Sequence, residues 1–360
     1  MSKASIYLII QRVKAVIYIL FLSSYFICNA QTEKITKDSI KLETKVKGID
    51  TCYIKDISDK FIIKVNRDSK IDFYTIKTSE FPIVSIAPNI SYNYSFGLDY
   101  KFIGFSIGFP KKWYENTDNY YLKGKSSSFN LGFSLFFNKF LQTFNFNTTK
   151  GYYIEETEYF EPNWQEGVTP YIQFPNFKSK RIGTKTSFIM NGNKFSYRSF
   201  SQQTQIQKKS AGSLIPSLSN EYLYTSDSVE GFSDEKHKLK LSSTLFIGYQ
   251  YNWVIVKNLN FSCGFFPGYG LSYVKNFEPN NSSETRYWEP KWALNINANI
   301  NYQWKNLFFG VQFSSMNDFK KEDEFEISNT INYENIYIGY QFNSPKRIEK
   351  YVNWIEKKLF

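Results

Sequence analysis

The residue types that most often perform catalysis are scarce in this chain. It contains a single histidine, His237, and three cysteines, Cys28, Cys52 and Cys263. A zinc or haem site made from histidine and cysteine ligands needs several such residues together, which argues against one here. A serine hydrolase would have to use His237 as its base. That histidine lies in a charged stretch, 233–238, which favours a solvated rim residue and predicts no catalytic, metal or cofactor site.

Two lysine and serine groupings resemble reactive motifs without satisfying them. Gly124-Lys125-Ser126 resembles the end of a phosphate-binding loop, but the glycine required at position 119 is replaced by Asn119. Lys208-Lys209-Ser210 offers a Ser-Lys pairing, but adjacent residues of an extended segment point to opposite faces. The second grouping therefore predicts a basic turn formed by Lys208, Lys209 and Ser210, which binds lipid phosphates or loop carboxylates.

Three cations fall on the polar side of predicted strands. Phe195 and Tyr197 take the apolar parity, which places Arg198 on the opposite face. Lys240 and Lys185 share that inward parity. These side chains are candidates for lining a lumen and setting its charge preference. The alternative is that they pair with carboxylates of infolded loops.

The elements that position these residues are clearest between Trp292 and Trp304. Apolar side chains occupy one parity of this stretch, and the other parity is a polar ladder of Asn295, Asn297, Asn299, Asn301 and Gln303. Such alternation indicates a strand with one face in an apolar medium and the other in a wet one. The aromatic residues at strand ends are typical of a membrane interface, and they are Trp253, Trp292, Tyr302 and Trp304.

The same alternation recurs through most of the chain, for example at Val84–Tyr94, Phe129–Phe137, Leu239–Trp253 and Phe261–Tyr273. A soluble β-sandwich also alternates, but its outward face carries lysine, glutamate and threonine. Here the polar face is glycine, serine and asparagine, and the apolar face is rich in aromatics over some ten residues. The pattern predicts an all-β fold, an antiparallel transmembrane β-barrel.

Connection lengths predict about twelve strands. Asn138-Lys139, Asn191-Gly192-Asn193, Lys257-Asn258 and Lys305-Asn306 are expected to be tight periplasmic turns, and the long connections lie outside. This rule requires an additional upward strand within 60–78 and makes 209–237 one long outer excursion. The alternative makes Ser213–Tyr224 a spanning strand, omits the strand within 60–78, and again gives twelve.

The chain ends divide into further segments. Residues 1–30 predict a signal peptide, with lipoprotein modification at Cys28 or a retained anchor helix as alternatives. Residues 31–59 are a polar periplasmic segment, 60–343 the barrel, and 344–360 a short amphipathic C-terminal helix. The net charge of +11 comes from scattered lysine and arginine, which favours anionic lipid over nucleic acid as the partner.

Several stretches resemble an uncharacterised family of bacterial outer-membrane barrels, domain of unknown function 4421. They are the residues 50–56 (DTCYIKD), 58–64 (SDKFIIK), 124–131 (GKSSSFNL), 149–154 (TKGYYI), 194–200 (KFSYRSF) and 207–213 (QKKSAGS). The resemblance implies an exported barrel in the bacterial outer membrane and brings no activity with it.

These observations favour a narrow or gated channel or carrier for small polar or anionic solutes. An alternative is a non-conducting binding or assembly barrel that recruits periplasmic or outer-membrane proteins through its loops and C-terminal helix. A barrel-embedded lipid hydrolase is a remote third hypothesis, which depends on His237. Outer-membrane lipid is an expected partner in each case.

Overall fold

The computed structural model describes residues 48–78, 84–90, 92–110, 117–137, 139–228, 235–278, 283–321 and 325–359. The predicted signal peptide and most of the predicted segment 31–59 lie outside these residues. The described chain is built almost entirely from long strands that run up and down in sequence order.

Twelve of the described strands close into one antiparallel barrel. Each pairs with its neighbours in the ring, and the last closes on the first with Asn343 opposite Lys60. The strands are β2 (Lys60–Thr78), β4 (Asn93–Tyr100), β5 (Ile103–Pro110), β6 (Ser127–Phe137), β7 (Phe140–Ile154), β8 (Gln173–Phe188), β10 (Ala211–Ser228), β11 (Glu235–Val256), β12 (Leu259–Glu278), β13 (Ser283–Trp304), β14 (Leu307–Lys321) and β15 (Phe325–Asn343). The predicted fold class and strand number are confirmed.

The barrel wall is lower on one side than on the other. Strands β4 and β5 are 8 residues long, whereas β11 and β13 have 22. Above the short strands, β3 (Val84–Ala87) pairs with β2 on one side and β7 on the other. Strand β7 has a bulge at Gly151, which shifts its register with β8. The φ of Gly151 is +85°, a conformation that glycine adopts readily. The ring therefore has twelve strands below and ten above.

Side chains alternate between a lipid-facing exterior and a largely polar interior. On β11, Leu245 and Ile247 are 51% and 54% exposed, while Thr244 and Gln250 between the outward positions are 2% and 0% exposed. A closed barrel satisfies every strand hydrogen bond internally, so its outer face can be apolar throughout. The architecture is that of a transmembrane barrel.

Tight turns identify the periplasmic end. Lys101, Asn258 and Lys305 adopt positive φ in turns of two residues between paired strands. The helix α3 (Lys346–Leu359) follows β15 at this same end, whereas a short helix, α1 (Thr117–Lys123), lies in the connection between β5 and β6. Val352 of α3 packs against Phe61, which begins β2. The predicted C-terminal helix is therefore present at the periplasmic rim. No helix of the described residues is both long and apolar enough to cross a bilayer.

Two parts of the predicted topology are wrong. Residues 209–237 are not one outer excursion, because β10 spans the wall at 211–228. Asn191-Gly192-Asn193 is not a tight turn between wall strands, because the chain does not re-enter the wall until Ala211. The predicted upward strand within 60–78 is confirmed as β2. In the prediction, the segment around Phe195 and Arg198 is counted as a wall strand and β10 is omitted, so the total stays at twelve. The predicted Val84–Tyr94 strand is two strands, because β3 ends at Ala87 and β4 begins at Asn93, and Pro88 cannot donate to the ladder.

Candidate functional site: a plugged lumen

Residues 191–210, called the plug below, leave the wall between β8 and β10 and fold into the periplasmic end of the lumen. They contain a one-turn helix, α2 (Arg198–Ser201), and a short strand, β9 (Gln205–Gln207). Phe195 is 1% exposed and Thr204 is 0% exposed, as expected for a segment enclosed by the wall. The plug obstructs the lumen at this level.

Side-chain amides of the wall bind the plug backbone. Asn252 Nδ2 on β11 donates to the Ser196 carbonyl at 2.8 Å. Asn299 Nδ2 on β13 donates to the Phe200 carbonyl at 3.0 Å. Such bonds satisfy carbonyls of an irregular segment that has no strand partner there. Two strands separated by β12 thus bind the plug backbone just before α2 and within it.

Four further strands contact the plug. Lys64 Nζ on β2 donates to the Ser201 carbonyl at 3.2 Å. Gln202 Nε2 donates to Ser134 Oγ on β6 at 3.0 Å. Gln203 Nε2 donates to Tyr337 Oη on β15 at 3.3 Å. Asn191, at the start of the plug, also donates to Ser213 Oγ and to the Gly212 carbonyl on β10. The plug is therefore attached by polar contacts to six wall strands, and such contacts can be exchanged for water.

The N-terminal segment clamps the plug from the periplasmic side. Strand β1 (Ile54–Asp56) pairs antiparallel with β9, with Ile54 opposite Gln207. Lys208 N donates to the Tyr53 carbonyl at 2.7 Å, and Asp50 N donates to the Asn193 carbonyl at 2.9 Å. The position of the plug is thus coupled to the segment that precedes the barrel.

A chamber of about 530 Å³ lies in the lumen on the inner side of the plug. Most of its wall is small or polar, including Ser95, Gly97, Ser106, Asn130, Gly132, Asn145, Gln312 and Ser314. Ser106 and Asn145 point inward yet are exposed, so the chamber admits solvent. Apolar side chains of Phe136, Leu141 and Met316 cover another part of its surface. The chamber is within the size range of small-molecule sites.

Arg181 forms two ion pairs inside the lumen. Arg181 of β8 lies 2.9 Å from Asp72 of β2 and 2.6 Å from Glu221 of β10. Because Asn329 Nδ2 also donates to Asp72 Oδ1 at 2.7 Å, this carboxylate is held from two sides. The pair between Arg181 and Asp72 joins strands that are not neighbours in the ring, and it narrows the lumen.

Two more ion pairs line a smaller pocket of about 250 Å³. Lys240 lies 3.0 Å from Glu289, and Lys291 lies 2.7 Å from Asp318. In this pocket, cations and carboxylates alternate around the wall, so neither charge dominates.

Lys185 differs from the other inward cations described above. Its ammonium lies 5.2 Å from the ring centroid of Phe246 and 5.4 Å from that of Phe266. It also lines the chamber. Within the described side chains, the ammonium has neither an ion pair nor a hydrogen bond. Lys185 is therefore a cation at the chamber whose described contacts are with aromatic rings and not with a carboxylate.

The predicted position of Arg198 on a lumen-facing strand is wrong, because Lys194–Phe200 is part of the plug and not a strand. Phe195 points into the core instead of toward lipid. Arg198 Nη1 donates to the Lys101 carbonyl at 2.9 Å, and its guanidinium lies 4.7 Å from the Phe136 ring. The alternation of Phe195 and Tyr197 is therefore a property of a packed loop.

The other predicted lumen residues point inward, but Lys240 among them is neutralised by an ion pair. Lys240 pairs with a wall carboxylate and not with an infolded loop. In the polar ladder, Asn297, Asn299, Asn301 and Gln303 are buried and Asn295 lines the chamber. Asn301 Nδ2 donates to Tyr337 Oη at 3.2 Å. The ladder thus supports the plug and its wall contacts.

The basic turn and the aromatic positions lie on the surface. Lys208 and Lys209 are exposed between β9 and β10, with Lys208 Nζ donating to the Thr51 carbonyl at 2.8 Å. Ser210 Oγ accepts from Val254 N at 3.0 Å. Trp292 and Trp304 are 62% and 55% exposed toward the outside, and Trp253 and Tyr302 are half-buried beside them in the wall. His237 stacks on Phe277 near the opposite end.

The apolar part of the lumen was not anticipated from the sequence. Its buried members are Phe136, Leu141, Ile215, Phe246 and Phe266. Each occupies the inward parity of its strand, between polar residues that share that parity. The sequence therefore does indicate this apolar part of the lumen, by large apolar residues on a face otherwise made of serine, glycine and asparagine.

A family comparison agrees with this architecture. The model of Domain of unknown function (DUF4421) matches residues 48–342. The chain belongs to this family. Together with the closed barrel and its apolar exterior, family membership identifies a bacterial outer-membrane β-barrel protein. The DUF4421 region includes β1, the plug and the whole barrel wall, and the family description assigns no activity.

Several solved structures align with most of this chain at low sequence identity. The outer-membrane protease OmpT of Escherichia coli is 8% identical, with 80% of this chain and 98% of that chain covered and a TM-score of 0.39. The β domain of the Bordetella autotransporter BrkA is 6% identical, with 79% and 100% covered and a TM-score of 0.34. The Ralstonia pickettii toluene transporter TbuX is 9% identical, with 79% and 90% covered and a TM-score of 0.30. No curated protein matches the chain.

Proposed function

We propose that this barrel is a gated passage or carrier for small polar or anionic solutes, closed by its own plug. The observation that carries the proposal is the chamber of about 530 Å³ enclosed between the wall and the plug. A barrel with a purely mechanical role could fill this space with side chains, as small barrels do. A solvent-accessible chamber behind a polar plug is suited to holding a solute.

Movement of the plug would unpack Phe195 from the wall and release hydrogen bonds between neutral groups, such as those of Asn252 and Asn299. Each such bond contributes about 1 kcal/mol net, since water can replace either partner. Opening would require the release of Asn252 and Asn299 from the plug backbone, while the strand ladder remains intact. The proposal assigns no catalytic step to the protein.

Single-channel recording in planar bilayers tests the gate. Replacing Asn299 with alanine removes the bond to the Phe200 carbonyl, and we expect the open probability to rise about fivefold, which corresponds to about 1 kcal/mol. Asn297→Ala is the matched control, because Asn297 faces the same lumen two residues away and has no hydrogen bond to the plug among the described residues. Equal openings in the two variants would contradict a gating role for the plug.

The second candidate function is a non-conducting binding or assembly barrel. The C-terminal helix favours it, because Tyr351 and Trp354 are 71% and 57% exposed while Val352 anchors the helix to the barrel. A variant with a shortened plug that folds but stays silent in bilayers would support this candidate. Deleting 346–360 would then remove co-purifying periplasmic or outer-membrane proteins and leave the barrel folded.

Lipid is the expected partner of the outer surface. Lys208 and Lys209 are exposed where the plug joins β10, and the proposal is that they bind lipid headgroup phosphates of the inner leaflet. Binding there would orient the barrel and would not involve the lumen.

A further inference from the structure

Lys185 has an unusual environment for a cation inside the barrel. Four other inward cations, Lys64, Arg181, Lys240 and Lys291, each lie within 3.0 Å of a carboxylate. The ammonium of Lys185 instead lies over the faces of Phe246 and Phe266. Lys185 is half-buried, so it has lost part of its hydration. Cation–π contacts offset part of that loss, and an anion would offset more of it.

The chamber beside Lys185 limits which anion fits. Phosphate and sulfate sites in proteins use several donors, often bidentate arginine or backbone N–H groups, whereas this site supplies one ammonium. Lys64 and Arg181 also line the chamber, but each already pairs with a carboxylate there, Asp99 and Glu221 respectively. Asp68 adds a further carboxylate, which disfavours a second negative charge on the ligand. These features favour a single negative charge.

The apolar part of the chamber favours an organic molecule over a simple ion. Phe136, Leu141 and Met316 line it together with Lys185. Burying a few methylene groups against them contributes roughly 0.8 kcal/mol for each. A chloride ion has no methylene group to transfer from water to these side chains, so it would gain nothing from them.

We infer that Lys185 binds the carboxylate of a small monocarboxylic acid whose short apolar body lies against Phe136, Leu141 and Met316. This inference deepens the proposed function, since it names the solute class that the chamber holds. It concerns occupancy of the chamber and does not require that the bound acid crosses the membrane.

Isothermal titration of the refolded barrel, comprising residues 31–360 in detergent, tests the site with two probes. Butyrate and butyramide have the same carbon skeleton and differ in charge. We expect the wild type to bind butyrate at least tenfold more tightly than butyramide. Lys185→Met should abolish that preference while keeping the volume of the side chain, and Lys185→Arg should retain part of it.

Lys180→Met is the matched control, because Lys180 lies on the same strand and is exposed on the outside, near Tyr224. Circular dichroism confirms that each variant is folded. Absence of butyrate binding to the folded wild type, equal binding of butyramide, or unchanged binding by Lys185→Met would each overturn the inference. If butyrate binds as expected while Asn299→Ala fails to change conductance, the gate is wrong and the binding site stands.

Discussion

At the scale of single residues, the lumen is organised by charge compensation. Arg181 and Lys185 lie four positions apart on β8 and point to the same side of the wall, but they have opposite surroundings. Arg181 contacts two carboxylates, and Lys185 contacts two aromatic rings. The inward parity of Lys185 and Lys240 follows from alternation in the sequence. The partners of the inward cations do not, because Asp72, Glu221 and Glu289 come from other strands whose pairing and register the sequence leaves open.

Replacing Arg181 with methionine should destabilise the barrel strongly. The change leaves Asp72 and Glu221 as buried charges without their guanidinium partner, and breaking a buried pair in this way costs about 3–5 kcal/mol. Urea titration of the barrel in lipid vesicles measures the loss of unfolding free energy. Arg67→Met is the control, because Arg67 is exposed on the outer side of β2. A loss no larger than that of the control would mean that the pairs do not stabilise the wall.

Replacing Lys185 with methionine should instead stabilise the barrel. Removing an ammonium without a described anionic partner relieves a desolvation cost, so the unfolding free energy should rise by about 1 kcal/mol without added ligand. The same urea titration measures it. A decrease comparable to that of Arg181→Met would show that Lys185 has a stabilising partner and would remove the basis for an anion site.

At the scale of elements, the plug shows where sequence periodicity fails. Lys194–Phe200 alternates like a strand, but its apolar members face a core formed by the wall. The true spanning strand, β10, contains Pro216 and several serines, which weakens its strand signal. Both predicted arrangements gave twelve strands, so the count offered no means of choosing between them. Pairing with β8 and β11 decides the matter, and pairing is a long-range property.

A barrel that begins at Ser58 should have a loosened plug. The truncation removes β1, including Ile54, which is 1% exposed, and the backbone bond to Lys208 N. Trypsin should then cleave after Lys194, Lys208 or Lys209 about tenfold faster, as followed by mass spectrometry. Deleting 346–360 serves as the control, since α3 does not pair with β9. Unchanged cleavage rates would indicate that the wall alone holds the plug.

At the scale of the whole molecule, the exterior was the most predictable feature. Lipid contact imposes an apolar residue at every second position over the length of a strand, so the local pattern carries the fold. The interior obeys a weaker constraint, because it mixes solvent, ion pairs, an apolar cluster and the plug. The sequence therefore predicts class and location well, and the arrangement inside the barrel poorly.

Introducing arginine into the lipid-facing belt should be costly. Ile247 is 54% exposed on the outer face of β11, and Ile247→Arg should reduce the unfolding free energy in bilayers by about 2–4 kcal/mol. Val168→Arg is the matched control, because Val168 is 64% exposed in the long connection between β7 and β8. Equal effects at the two positions would argue that the belt does not face lipid.

The central claim is that residues 191–210 close the lumen and can move. Its most direct test is single-channel recording of a Ser134→Cys, Gln202→Cys variant, whose other cysteines, Cys52 and Cys263, are replaced by serine. A short reducible bifunctional thiol linker joins the two positions, which hydrogen-bond at 3.0 Å in the native protein. We predict openings before linking, silence after it, and the return of openings on reduction. Conductance that is indifferent to the linker, or a pair that cannot be linked in the folded barrel, would contradict the account.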